Sequence, residues 1–196
     1  RRSGMIPGIW LEPECLGSLS KAFHDPGLPR MTAGGKPVED DNRRFLSLAD
    51  PRAREYLDGV VDRLVEMGFG YFKFDFNSDF FPGCDNAEGS PVHGGLLRAY
   101  AAWLRGLRRR YPDILIESCA SGGMRMDYGL LSCADLVSIS DQGDIGCLAN
   151  LFFSVSRVVH PLQMGNWSLL YPQQNEEQLG LSLINSMLGR MTLGAR

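Results

Sequence analysis

Histidine is scarce in this chain, cysteine follows no pattern and long apolar runs are missing, and each shortage removes a class of function. The three histidines, His24, His93 and His160, stand far apart. None reaches the spacing that would bring two imidazoles to one metal, so each reads as a surface or hydrogen-bonded residue. Cys15, Cys84, Cys119, Cys133 and Cys147 are an odd number without a C-x-x-C pair. That points away from a disulfide framework or a zinc site and toward a reducing, cytoplasmic compartment. No metal and no cofactor is expected. No apolar run approaches the roughly 20 residues of a membrane-spanning helix, and the opening RRSGMIPGIW lacks the apolar core and cleavage site of a signal peptide. A net charge of −3 leaves no broad basic surface, so neither nucleic acid nor a membrane is an expected partner. The one basic cluster, RGLRRR at 105–110, reads as a solvated helix end where cations suit the helix dipole. The pairs Gly34-Gly35, Gly94-Gly95 and Gly122-Gly123 lack the G-x-G-x-x-G spacing of a dinucleotide site, and no G-x-S-x-G elbow occurs.

What remains is an ordinary globular composition, 44% apolar and 22% charged, sufficient for a real core. Apolar β-type runs at 6–11, 71–76, 114–116 and 136–139 are each followed by a loop rich in Gly, Pro, Asp or Ser. Between the first two, Asp50 as N-cap and Pro51 at the first helical position open a helix. Its Tyr56, Leu57, Val60, Val61, Leu64 and Val65 share one face before Gly68 stops it. Further helices are expected over 94–110, 146–159 and 175–189. Strands that alternate with helices and are apolar on both faces predict an α/β fold with a parallel sheet. Without the nucleotide fingerprint, the (β/α)8 TIM barrel is favoured over the open doubly wound sheet. A whole barrel needs about 250 residues, so these 196 form one partial domain with about half of the strand–helix units. The chain starts one step before a strand and ends on GRMTLGAR without a capping element, as expected of a piece of a longer protein.

The stretch GYFKFDFNSDFF, 70–81, threads charges through what otherwise reads as a buried strand. Period-two geometry puts Tyr71, Lys73, Asp75 and Asn77 on one face and Phe72, Phe74 and Phe76 on the other. An unpaired charge inside a barrel costs several kcal/mol. Lys73 and Asp75 must therefore pair, face a wet pocket, or both, and in a barrel that pocket lies at the carboxyl ends of the strands. The other strands end likewise: WLEPE with Trp10, Glu12 and Glu14, ESCASGG with Glu117, Ser118 and Cys119, and SISDQGD with Ser140, Asp141 and Asp144. Any one of these could merely enter a solvated loop; four in succession favour a site. The available tools are carboxylates, one Lys and one Trp, as in glycoside hydrolysis.

In order, GIWLEPE, YFKFDFN, ESCASGGMRMD and SISDQ resemble the catalytic barrel of glycoside hydrolase family 36, the melibiase-type α-galactosidases, from about residue 5 to residue 145. The resemblance implies a retaining exo-α-galactosidase acting on an α-galactoside, with Asp75 as nucleophile and Asp141 as general acid/base. It implies that Lys73 and Asn77 contact sugar hydroxyls, that Trp10 lines the pocket and that Cys119 and Gly122 border the sugar. Arg125 and Asp127 match a recurring Arg-x-Asp pair, assigned to structural pairing. Lys73 should hold Asp75 ionised, and burial beside a second carboxylate should keep Asp141 protonated. A retaining mechanism would place the two carboxyl groups about 5–5.5 Å apart, an inverting one about 8 Å or more.

Several neighbours read as structural. Asp79 and Asp144 look like loop or helix caps, and Glu12 or Glu14 is expected to bond a neighbouring loop. Cys119 could be no more than a small buried residue, and Trp167 leans toward the rim. The sequence departs from the family after Asp141, where DQGDIG replaces the usual Asn-Thr-Asp, and Arg43 and Arg44 stand out of register with the family's arginine. The Asp pair that holds the 4- and 6-hydroxyls is not in the chain, and the insertion at 16–46 is expected to be a surface loop or lid. Rival readings are an α-N-acetylgalactosaminidase, another α-hexosidase or a transglycosylase on the same fold. From another class comes a non-catalytic carbohydrate-binding or structural barrel piece. Whether the whole protein is a homo-oligomer is left open.

Overall fold

The structure, a computed structural model, describes residues 3–78, 84–85 and 94–195; Asp79 and His93 lie outside them. Two compact units form, one from Arg1–Phe72 and Phe76–Ile114, the other from Lys73–Asp75 and Leu115–Arg196.

The first unit holds strand β1 (Gly8–Leu11), helix α1 (Pro51–Glu66), the start of strand β2 (Tyr71–Phe74) and helix α2 (Gly94–Arg110). Helix α1 starts and stops where its residue types require. The Asp50 carboxylate accepts from the Arg52 N–H at 2.9 Å, a cap whose loss typically costs about 1 kcal/mol. At the other end Gly68 takes φ +99°, so its N–H reaches the Val65 carbonyl at 2.8 Å and closes the last turn. Ala53, Leu57 and Val61 are its buried face.

The basic end of α2 does more than meet solvent. Arg110 pairs with Asp58 at 3.1 Å and Asp62 at 3.0 Å. The Trp103 indole N–H donates to Asp58 at 2.9 Å and the Tyr111 hydroxyl to Asp62 at 2.8 Å. One acidic stripe on α1 thus fastens three side chains of α2 and its exit.

The 16–46 segment also differs from a plain surface loop. Cys15–Gly17, Arg43–Phe45 and Glu39–Asp40 form a three-stranded antiparallel sheet, and Thr32–Ala33 pairs with Lys36–Pro37. The turn between that last pair places Gly34 and Gly35 at positive φ, and both N–H groups donate to the Asp85 carboxylate, at 3.0 and 2.8 Å. Met31, Val38, Phe45 and Leu46 are buried. These apolar residues stand at irregular spacing among Gly, Pro and charges, so no periodic signal betrays them.

The second unit is a parallel sheet in the order β2, β3 (Leu115–Ser118), β4 (Leu136–Ser138), β5 (Met164–Leu170), β6 (Arg190–Ala195). Helix α3 (Ile145–Val155) precedes β5 and helix α4 (Glu176–Ser186) precedes β6. Asn175 and Gln178 cap each other's backbone at the start of α4. Leu131, Val137, Ile139, Leu148, Phe152, Val155, Val159 and Met164 form one core cluster, each contributing roughly 1.5–3 kcal/mol when fully buried.

Two strands were not evident from pattern. In β5 the run MGNWSLL mixes Gly, Asn and Ser into an apolar stretch, yet Asn166 and Ser168 are fully buried. The terminal GRMTLGAR supplies β6, which pairs with β5 over six residues, from Gly165 with Arg190 to Leu170 with Ala195. Parallel strands take both donors and acceptors from their neighbours, so backbone pairing sustains them where side-chain alternation is weak.

Candidate active site

Strand β2 aims its alternate faces as its sequence requires. Phe72, Phe74 and Phe76 are buried, and Asp75, one residue past the strand, is buried too at 6% exposure. An ionised carboxylate at that depth needs a cation, and Lys73 supplies one from the same face.

Lys73 is itself held on several sides within the second unit. Its ammonium donates to the Ser138 hydroxyl at 3.0 Å, stands 3.2 Å from Glu117 Oε1 and lies 5.1 Å from the ring centre of Trp167. The Ser138 hydroxyl donates in turn to Glu117 Oε1 at 2.5 Å. Burial alone would lower the Lys73 ammonium. The negative charges of Glu117 and Asp75 and the bond to Glu117 oppose this, joined by Cys119 only where that thiol ionises, and carry Lys73 above its ordinary value. Charge on Lys73 is therefore assured across the neutral range.

Cys119 follows β3, its N–H donating to the Phe74 carbonyl at 2.8 Å. Burial pushes its thiol up to about 11, the hydroxyl of Ser138 and the Lys73 charge only partly opposing this while Asp75 adds to it. The thiol stays protonated at neutral pH and can donate to the Asp75 carboxylate.

Gly122 sits at φ +78° with its α-carbon against the Ser140–Asp141 peptide. A β-carbon there would lie 2.8 Å from both the Asp141 nitrogen and the Ser140 α-carbon, and one on Gly123 would lie 2.5 Å from the Ile139 carbonyl. The turn 120–123 is thus a backstop for residues 139–141. A Gly122→Ala substitution adds about 1–3 kcal/mol of backbone strain and has to displace Asp141. The expected outcome is a clear drop in kcat/KM in a protein that still unfolds cooperatively, read by steady-state kinetics beside thermal melting. An unaltered kcat/KM would free Asp141 from this backstop.

Asp141 is exposed, which corrects the expectation of a buried carboxyl. Strand β4 ends at Ser138, and three residues on the chain has already left it for the turn that leads to α3. Asp144 is a helix cap as expected: its carboxylate accepts from the Cys147 N–H at 2.8 Å, and the bonds from Cys147 hold it below the usual carboxylate range. Asp127 likewise caps a short helix, accepting from the Gly129 N–H at 2.8 Å.

Trp10 and Asn77 belong to the first unit. Trp10 is half-exposed on β1. The Asn77 peptide is gripped at both ends: its N–H donates to Glu12 at 2.8 Å and its carbonyl accepts from Arg43 at 2.7 Å. Arg43 also pairs with Asp40 at 3.1 Å and approaches Glu12 at 3.7 Å, and the Ser78 hydroxyl donates to Asp40. Glu12 is thus the carboxylate that bonds a neighbouring loop, while Arg43 was missed because its role depends on contacts 34 residues away. Among the histidines, His160 caps a turn through the Leu162 N–H at 3.2 Å and His24 bonds the Ser18 carbonyl at 2.9 Å.

None of the five cysteines is in a disulfide. Among the described residues no group of three His, Cys, Asp or Glu side chains could hold a metal ion, and no helix is long and apolar enough to cross a membrane.

The strand–helix units thus carry a buried carboxylate, Asp75, at the end of one parallel strand and a second, Asp141, beyond another. The melibiase family model matches residues 1–191, and the chain belongs to that family. It is 32% identical over 160 residues to α-galactosidase C of Emericella nidulans, covering 81% of this chain and 21% of that protein. It is 30% identical over 143 residues to the bifunctional α-galactosidase/sucrose kinase AgaSK of Mediterraneibacter gnavus, covering 72% of this chain and 15% of that one. The chain thus spans about a fifth of the length of such relatives. Among solved structures, the galactosidase domain of AgaSK superposes with a TM-score of 0.81 at 24% identity over 98% of this chain and 27% of that one. The family 36 α-galactosidase AgaA of Geobacillus stearothermophilus gives 0.83 at 20% identity over 99% and 28%. The fold is therefore a partial (β/α)8 barrel.

Proposed function

We propose that this chain supplies part of the active site of a retaining exo-α-galactosidase, with Asp75 as the nucleophile and Asp141 as the general acid/base. The observation that carries the reading is the burial of Asp75 at the end of β2 with Lys73 two residues before it on the same face. A carboxylate beside a cation is favoured in the charged form that attack on an anomeric carbon requires. Membership in the melibiase family, and relatives named α-galactosidases, support the substrate class.

In this scheme Asp75 attacks the anomeric carbon while Asp141 protonates the departing oxygen; Asp141 then takes a proton from the water that releases the sugar. Exposure of Asp141 suits a group that must exchange its proton with solvent between the two halves. The test is an assay of the whole protein on matched aryl α-galactosides and α-N-acetylgalactosaminides, with the first-formed sugar followed by proton NMR. The expected result is hydrolysis of the galactoside with the α-anomer appearing first. A first-formed β-anomer would mean inversion, and preference for the acetamido sugar would move the substrate assignment.

A further inference from the structure

We infer that Glu117, joined to Lys73 directly and through Ser138, is a positioning residue that keeps Lys73 charged during the half of the reaction in which Asp75 has no charge. The inference rests on the retaining mechanism proposed above and deepens it.

The argument begins with what faces the Lys73 ammonium. Among the described residues two carboxyl side chains act on it: Asp75 at the end of its own strand and Glu117 on β3. The remaining partners are the Ser138 hydroxyl on β4, the protonated Cys119 thiol after β3 and the Trp167 ring on β5. Glu117 is 6% exposed and Ser138 1% exposed, so water replaces neither.

In the free enzyme both carboxylates balance the cation. In the glycosyl–enzyme intermediate Asp75 Oδ is bonded to the anomeric carbon, and the ester carries no charge. Glu117 is then the sole carboxylate among these partners. A partly buried ammonium left without one gives up its proton more readily. Glu117 prevents that, and Ser138, donating to Glu117 while accepting from Lys73, fixes the cation in register with it.

The charge matters most when the intermediate breaks down. Water adds to the anomeric carbon and gives its proton to the Asp141 carboxylate. The C–O bond to Asp75 breaks, and its electron pair returns to the Asp75 carboxylate. A cation beside that oxygen stabilises the charge developing on it, whereas during attack by Asp75 the same cation is already paired. Loss of charge on Lys73 therefore retards the second half-reaction more than the first.

The experiment uses the whole protein with an activated aryl α-galactoside, for which release of the sugar limits kcat. At that step Asp141 acts as a base, so it produces only an acid limb. Wild-type kcat is accordingly expected to stay level on the alkaline side. Glu117→Gln, which keeps the side chain's size, is expected to add an alkaline limb on which kcat falls about tenfold per pH unit. The pre-steady-state burst of phenol should keep its amplitude and rate while the steady phase that follows it slows with rising pH. Ser138→Ala keeps the ion pair and should give the same limb displaced to higher pH, which guards against a Glu117 variant that fails to fold. A merely structural role would lower kcat by the same factor at every pH, and that result overturns the inference. The parent reading fails separately, if Asp75→Gly retains activity; a dead Asp75 variant beside an unmoved pH profile in Glu117→Gln sinks this inference alone.

Discussion

Replacing Asp75 by glycine in the whole protein is expected to lower kcat/KM on an aryl α-galactoside by about 10⁴-fold or more, the scale of loss seen when a catalytic nucleophile is removed. Sodium azide is expected to restore turnover and to yield the β-galactosyl azide. Removing the side chain opens a space where Asp75 stood, and a small anion can enter and attack the same face of the sugar. With no second displacement to follow, the anomeric configuration of the product is inverted. The α-azide, or retention of more than about a tenth of the wild-type rate, would take the nucleophile's role away from Asp75. Lys73 is expected to remain charged in this variant because Glu117 stays 3.2 Å away, so the loss reports on the nucleophile and not on collapse of its surroundings.

Replacing Asp141 by alanine is expected to give a loss that depends on the departing group. A sugar alkoxide is a poor leaving group and needs its proton as the bond breaks, so hydrolysis of an oligosaccharide should fall by about 10³-fold, within the usual range for general acid catalysis. A dinitrophenolate leaves without help, so the first half-reaction on that substrate should be nearly unchanged and the intermediate should accumulate for want of a base. Comparing kcat/KM across phenols of graded acidity measures this directly: the slope of the plot should steepen in the variant. An identical slope in wild type and variant would assign the acid to another carboxyl. Asp144 is a poor substitute, because the N–H of Cys147 already occupies its carboxylate and holds it ionised.

The legible parts of the fold were those in which a single segment carries its own periodicity. Helices α1 and α2 and the alternation along β2 could be read from residue spacing, and Asp50, Gly68 and Asn175 marked real helix ends. The candidate nucleophile was visible for the same reason: a charge in an aromatic strand is locally anomalous. Strands β5 and β6 were hidden because Gly, Asn and Ser break their apolar runs while parallel pairing holds the backbone. The partners of Lys73 were hidden for a different reason. Glu117 and Ser138 lie 44 and 65 residues from it, and only the register of β3 against β4, which sets Ser118 beside Val137, brings them to one point. Arg43 escaped likewise, since its hold on Asn77 leaves no trace in the spacing of either segment.

The elevated thiol of Cys119 has a practical side. A cysteine bordering a proposed nucleophile would ordinarily be an invitation to alkylating reagents and peroxide, both of which consume the thiolate. At a value of about 11 the thiolate is a trace species at neutral pH, and at 2% exposure little of the sulfur is within reach. Electrophilic inhibitors built to trap a thiol would pass this position by, and oxidative conditions would spare it. The same burial that packs Cys119 behind β3 thus makes this position chemically quiet, whatever reacts beside it.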